Sequence, residues 1–173
     1  MTWVFQFTSG RRLVIALGVA LLGGSVVFGV GPFPYLQIVA PGGLLPETQL
    51  GYGGQQLIEF LEKLGDEGRT EYQKFQYLDF LTPVLLGCPA VLGIAFLLKK
   101  RQEPHGILAW LPAVPFLLLV TEVVENSILL SAVYAYPVLP SSVAILAVMT
   151  GTKFLSMGLI SVTLLGCFVR SKL

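Results

Sequence analysis

The sequence predicts an all-α protein: a four-span transmembrane helix bundle with a short amphipathic helix in the outer connection between spans one and two. Composition is the first observation, since 54% of the 173 residues are hydrophobic, only 12% are charged, and the mean hydropathy is +0.78. A soluble domain carries about 25% charged residues. The second observation is that the apolar residues form long blocks instead of recurring at the period of a surface helix.

The blocks define the spans, because about 20 helical residues cross the hydrocarbon core of a bilayer. The first two blocks, 13–31 and 80–98, contain no charge. The third is interrupted by Glu122 and Glu125, and the fourth by Lys153. We predict a single membrane domain over residues 1–173, with spans at about 12–31, 77–98, 107–134 and 142–169 and an outer segment at about 32–76.

The first block also resembles a cleavable signal peptide, since Arg11 and Arg12 precede an apolar run. The run is long, however, and Pro32 directly follows the small residues at its end, which disfavours cleavage. We therefore expect a retained first helix.

Basic residues indicate the orientation of the spans. They flank span ends on one side only: Arg11, Arg12, Lys99, Lys100, Arg101, Arg170 and Lys172. The segment 32–76 is mainly acidic. By the positive-inside rule, we predict that both termini and the turn 99–106 are cytoplasmic. The segment 32–76 and the turn 136–141 then lie on the other side, and the sequence does not indicate which membrane is used.

The outer segment divides into two parts. Prolines and glycines between Pro32 and Pro46 exclude a long helix, so we expect irregular structure there. From Gln55 onward, apolar residues fall on one helical face: Leu57, Ile58, Phe60, Leu61 and Leu64. This amphipathic helix either lies on the membrane surface or caps the outer end of the bundle. Its acidic polar face disfavours a lipid anchor, so we expect it to pack on the spans or on a second membrane protein.

Two signals place the end of this helix and the start of the next. Gly65 is a plausible C-terminal cap, and Thr70 is a plausible N-cap for a second helix. We expect the second helix to run straight into span two, with Tyr72, Phe75 and Tyr77 at headgroup level.

The few ionisable groups inside the spans are the candidate functional site. At a rise of about 1.5 Å per residue, Glu122 lies about 22 Å and Lys153 about 25 Å from the inner ends of their spans. Three spans thus contribute to one layer in the outer half, a polar cluster of Asp79, Glu122, Glu125, Asn126 and Lys153. Since Lys153 is the one basic residue in this layer, we predict an ion pair with Glu122 or Glu125, with Asp79 near the outer mouth.

Two interpretations of the cluster remain open. Interhelical polar pairs can fix the register of a bundle in lipid, which is a structural role. Intramembrane ionisable groups also form proton or ion paths, substrate pockets and catalytic acid–base pairs.

Several chemistries have no residues to support them. His105 is the single histidine, in the turn 103–106, so bis-histidine haem, tri-histidine metal sites and a Ser-His-acid triad are excluded. No glycine-rich phosphate loop is present. We predict no cofactor, no metal and, with a net charge of +1, no nucleic-acid partner.

Parts of the sequence are similar to an uncharacterised group of small four-span integral membrane proteins. The similarity lies in residues 68–72, in Asp79 with Pro83, in residues 122–126 and in Lys153, and so covers spans two to four. The resemblance implies that the polar layer is a shared feature, and it implies no activity.

These features support more than one function. The first hypothesis is a non-enzymatic subunit or accessory protein of a larger membrane assembly, docking through the outer segment, because no nucleophile, metal or cofactor constellation is evident. The alternative is a small transporter or membrane-embedded enzyme that uses the buried Glu, Lys and Asp groups. A third idea is pigment or lipid binding between spans, with Glu125 or Asn126 as a ligand.

Overall fold

The computed structural model describes residues 2–100 and 106–170, and in these ranges the protein is all-α, as predicted, with no β-strand. The α-helices of this part are α1 (Thr2–Phe7), α2 (Gly10–Ser25), α3 (Phe33–Val39), α4 (Gly54–Asp79), α5 (Thr82–Lys100), α6 (Val114–Ala135) and α7 (Leu146–Arg170). A π-helical turn extends α2 over Val26–Val30. Shorter 3₁₀ turns lie at Pro41–Gly43, Pro46–Thr48, Gly106–Ala113 and Ser141–Ile145.

Four helical segments are long and apolar enough to cross a membrane. They are Gly10–Val39, Gly54–Lys100, Gly106–Ala135 and Ser141–Arg170, so the predicted four-span architecture is confirmed. The predicted turn at 99–106, including His105, lies largely outside the described residues, as do Arg101 and Lys172. The end of the bundle that carries residues 40–53 is called the outer end below.

The spans pack unequally. Helices α5, α6 and α7 all contact one another, and α4 packs on α6. Helix α2 packs mainly on α5 and contributes no buried residue. Its first turn is capped by Ser9, whose hydroxyl accepts a hydrogen bond from the backbone N–H of Arg12 at 3.3 Å. Helix α2 is therefore peripheral, and its far side faces away from the bundle, whereas the rest of the first span places Val27 and Leu36 in the core.

The proline-rich part of the outer segment is more regular than predicted. Phe33–Val39 forms helix α3, with Pro34 in its first turn. Proline is tolerated there because the first backbone N–H groups of a helix have no partner within it. The expectation of irregular structure from Pro32 was therefore wrong for these seven residues, because prolines exclude a helix interior but not a helix start.

The amphipathic helix caps the outer end of the bundle. Leu57 and Leu61 are fully buried, and with Phe60 and Leu64 they belong to the large core that also includes Leu129 of α6. Its apolar face is thus covered by the protein's own spans.

Gly65 ends this helix, as predicted, with a φ of +65° that disfavours any residue with a Cβ. The predicted start at Thr70 was wrong. The helical conformation resumes directly after Gly65, and the Thr70 hydroxyl donates to the carbonyl of Asp66 at 3.0 Å, as an interior helix residue does.

The entry into span two also differs from the prediction. Helix α4 ends at Asp79, and a turn at Phe80 and Leu81 separates it from α5, so the helix does not run straight through. Tyr72 and Phe75 are buried in the core, so their rings are not exposed as an interfacial belt would be. Only Tyr77 is exposed as expected, with its hydroxyl 2.6 Å from that of Tyr134.

Candidate functional site: a buried acidic cluster

All five predicted cluster residues are buried, each at most 6% exposed: Asp79, Glu122, Glu125, Asn126 and Lys153. They come from the end of α4, the middle of α6 and the first half of α7. Three segments of the chain therefore deliver polar groups to the outer half of the bundle.

Glu125 and Lys153 form the predicted ion pair, with Nζ of Lys153 2.6 Å from Oε2 of Glu125. The other carboxylate oxygen accepts a hydrogen bond from the hydroxyl of Thr150 and lies 3.5 Å from the hydroxyl of Tyr52. Both oxygens of Glu125 are thus satisfied, as a fully buried carboxylate requires.

Glu47 is a fourth buried carboxyl group that sequence reasoning did not find. It lies in the 3₁₀ turn Pro46–Thr48 of the outer connection and is 4% exposed. Its carboxyl oxygens accept hydrogen bonds from the Tyr72 hydroxyl at 2.8 Å and the Gln76 amide at 2.9 Å. Its backbone carbonyl accepts a third bond, from Nζ of Lys153 at 2.8 Å. The outer connection therefore folds into the bundle and completes the coordination of the lysine.

A sequence signal for Glu47 does exist. It is the single charged residue between Pro32 and Gly53, and two leucines stand directly before Pro46. A lone acid in an otherwise uncharged, proline-rich connection indicates a folded and not a solvated segment.

Burial sets the ionisation of the groups in the outer connection. Desolvation raises the pKa of Glu47 from 4.5 to about 8, so this group is mainly a neutral acid at pH 7. Burial also raises the pKa of Tyr52, and the negative charges of Glu125 and of Glu47, once Glu47 ionises, raise it further, so Tyr52 remains protonated.

Glu122 and Asp79 differ from Glu125 in forming no ion pair at contact distance with Lys153. Within the described residues, no group makes a hydrogen bond to Glu122 or an ion pair with it, although Lys153, Asp79 and Glu125 are near enough to interact electrostatically. Asp79 lies beside Thr82 and Asn126. The hydroxyl of Thr82 and both amide atoms of Asn126 are buried without a hydrogen bond of normal geometry to any described residue.

These acids border a cavity of about 310 Å³, here called the outer chamber. Its polar lining includes Asp79, Thr82, Glu122 and Lys153, and its apolar lining includes Phe28, Phe33, Phe75, Phe154 and Met157. The rings of Phe28, Phe33 and Phe75 also pack on one another, with centroids 5.2 to 6.3 Å apart. The site thus combines carboxyl groups with aromatic faces, and both attract cations.

The arrangement does not resemble a metal centre. In the ranges 2–100 and 106–170, no three His, Cys, Asp or Glu side chains are grouped so that they can hold a metal ion. Comparison with known proteins adds no assignment, since no family model, no curated protein and no solved structure matches the chain. The fold and its four apolar helices place the protein in the class of multi-pass integral membrane proteins. The buried acidic cluster is the feature of this protein that a function has to explain.

Proposed function

We propose that the protein is a small membrane carrier that binds a cation at Asp79 and Glu122 in exchange for protons. The observation that carries this proposal is an imbalance of charge. One lysine, Lys153, lies among four buried carboxyl groups, those of Glu47, Asp79, Glu122 and Glu125. Its ammonium group already forms an ion pair with Glu125.

A purely structural polar layer does not account for this imbalance. Interhelical pairs stabilise a bundle when donors and acceptors are matched, as they are at Glu125. A buried carboxylate without a partner is costly, so it must be neutralised by a proton or by a cation. Asp79 and Glu122 border one chamber, and a cation that enters it displaces their protons.

Proton release on cation binding tests the proposal. The purified protein is titrated with tetraphenylphosphonium, a lipophilic organic cation, in weakly buffered detergent solution containing a pH-sensitive dye. We expect about one proton per bound cation from the wild type, and no release from the variant carrying both Asp79→Asn and Glu122→Gln. Glu62→Gln, on the exposed face of α4, is the control and keeps the release.

Two results contradict the proposal: cation binding without proton release, and equal release from the double variant. In liposomes, an imposed tetraphenylphosphonium gradient should also drive protons in the opposite direction faster with the wild type and Glu62→Gln than with the double variant or with protein-free liposomes.

The accessory role predicted from the sequence is a second candidate. Leu44 and Leu50 of the outer connection are 53% and 70% exposed, which supports an apolar contact with another protein at the outer end. Native purification in mild detergent should then recover one partner at fixed stoichiometry, lost when both residues are changed to glutamate. A solitary monomer in that preparation counts against this role.

A further inference from the structure

A groove runs along the bundle between the first and fourth spans. Helix α2 packs mainly on α5, and this arrangement leaves the groove next to it lined by α5, α6 and α7. Beyond the outer chamber, a second cavity of about 400 Å³, here called the inner chamber, extends toward the other end of the bundle. Leu86 and Met157 line both chambers, so the two are adjacent and share part of their walls.

The two chambers differ in chemistry. The outer chamber presents the carboxyl groups of Asp79 and Glu122 and the hydroxyl of Thr82, which lies beside Asp79. Glu47 and Lys153 also line it, and both are already bonded to other groups of the protein. The inner chamber is lined by aliphatic side chains and small residues: Leu13, Leu17, Leu86, Pro89, Ala90, Gly93, Leu118, Met157, Ile160, Ser161 and Leu164. Its one hydroxyl, that of Ser161, already donates to the carbonyl of Met157 at 2.9 Å. The groove is therefore acidic at one end and apolar at the other.

We infer that the groove binds an amphiphilic amine from the bilayer, with its ammonium group at Asp79 and Glu122 and its aliphatic chain in the inner chamber. The inference rests on the proposed function, since it assigns a substrate class to the same two carboxyl groups. An ammonium group has three donors and no acceptor, which matches two carboxylates and the hydroxyl oxygen of Thr82, which accepts no hydrogen bond from a described residue.

Charge and length both favour this ligand. A neutral lipid alcohol cannot compensate the two carboxylates, and the described side chains do not gather around a metal ion. The lining residues of α2 and its π-helical extension run from Leu13 to Phe28, about 22 Å at the rise of a helix, which is the length of an extended long-chain amphiphile. The side entry lies between α2 and α7, which are not among the helix pairs that pack closely along their length.

Photolabelling in lipid nanodiscs tests the inference. The probe is a long-chain primary amine with a diazirine at the far end of its chain, and the matched control is the corresponding alcohol. We expect the amine to label the part of α7 around Ile160 and Leu164, and unlabelled dodecylamine to compete with it. The alcohol should label exposed residues of all four spans without competition.

Variants then test separately how the ammonium group and the aliphatic chain of the probe are bound. Glu122→Gln should reduce the competed labelling about tenfold, because a charge-assisted hydrogen bond is lost. Met157→Trp places a bulky ring where the two chambers meet and should abolish the labelling. Ser161→Phe, in the wall of the inner chamber, should do the same and is used if Met157→Trp does not fold. The control is Leu155→Trp, on the same helix, 63% exposed and outside both chambers, which should label as the wild type does.

The outcomes distinguish this inference from the proposed function. Equal labelling by the alcohol, or undiminished labelling of Met157→Trp, overturns the groove assignment. Tetraphenylphosphonium can still release protons in that case, and the carrier proposal then stands alone. If neither cation releases protons, the proposed function fails, and with it the inference.

Discussion

Glu122 and Glu125 are less than one turn apart on α6, and both are buried, yet their surroundings differ. Glu125 pairs with Lys153 and accepts a bond from Thr150. Glu122 has no direct partner among the described residues and borders a cavity. The comparison shows that burial alone does not define a site. The closed side of the cluster, around Glu125, stabilises the protein, whereas the open side, around Glu122 and Asp79, is free to bind. Glu47 belongs to both sides, since its carboxyl group is bonded to Tyr72 and Gln76 and also lines the outer chamber.

Breaking the ion pair on the closed side should have the largest effect. Glu125→Gln and Lys153→Met each leave a buried charge without its partner, so each should lower the free energy of unfolding by about 3–5 kcal/mol. The double variant removes both charges and should recover much of the loss. Denaturation in mixed micelles of mild detergent and sodium dodecyl sulfate measures the three variants. If the double variant is no more stable than the less stable of the two single variants, the ion pair is not what stabilises this side.

Replacing Gly65, which ends the amphipathic helix, should have the next largest effect on stability. Gly65 has φ +65° and ψ −177°, a backbone conformation that residues other than glycine adopt at a cost of about 1–3 kcal/mol. Gly65→Ala should therefore destabilise the protein by that amount in the same denaturation assay. Gly18→Ala is the matched control, in the regular part of α2 with no atom near its Cβ position, and should be neutral or slightly stabilising.

Glu47 makes the stability of the protein depend on pH. Its pKa is raised to about 8 in the folded protein, so the folded state holds this proton more tightly than the unfolded state does. The contribution to stability is complete below about pH 4.5 and is lost as the pH rises through 8. Between pH 6.5 and 8, the wild type should lose about 1–2 kcal/mol more than Glu47→Gln does. Glu62→Gln, which changes an exposed acid, should lose as much stability over this range as the wild type does. If Glu47→Gln also loses as much as the wild type, the prediction is wrong.

The smallest effect on stability should come from the open side. Glu122→Gln removes no hydrogen bond and no ion pair, and an amide is less costly to bury than a carboxylate, so unfolding should change by less than about 0.5 kcal/mol. The same variant should weaken the binding proposed above about tenfold. If it instead unfolds as readily as Glu125→Gln, the distinction between the two sides is wrong.

The sequence by itself determined the number of spans and the layer in which the ionisable residues lie. Long apolar blocks identify spans without reference to their neighbours, because the thickness of a bilayer sets their length. Helical rise then sets depth, which is why Glu122, Glu125 and Lys153 were predicted to meet in one layer. Gly65 was found for a similar reason, since the end of a helix has a local signature.

Only the tertiary structure decided which glutamate pairs with Lys153 and which is left at the cavity. Both face the bundle, and periodicity does not distinguish residues on the same face of a helix. It also decided the place of Glu47, whose carbonyl meets Lys153 across 106 residues of sequence. Such a contact depends on how the outer connection packs onto the spans, and packing between distant segments leaves no periodic pattern in a single sequence.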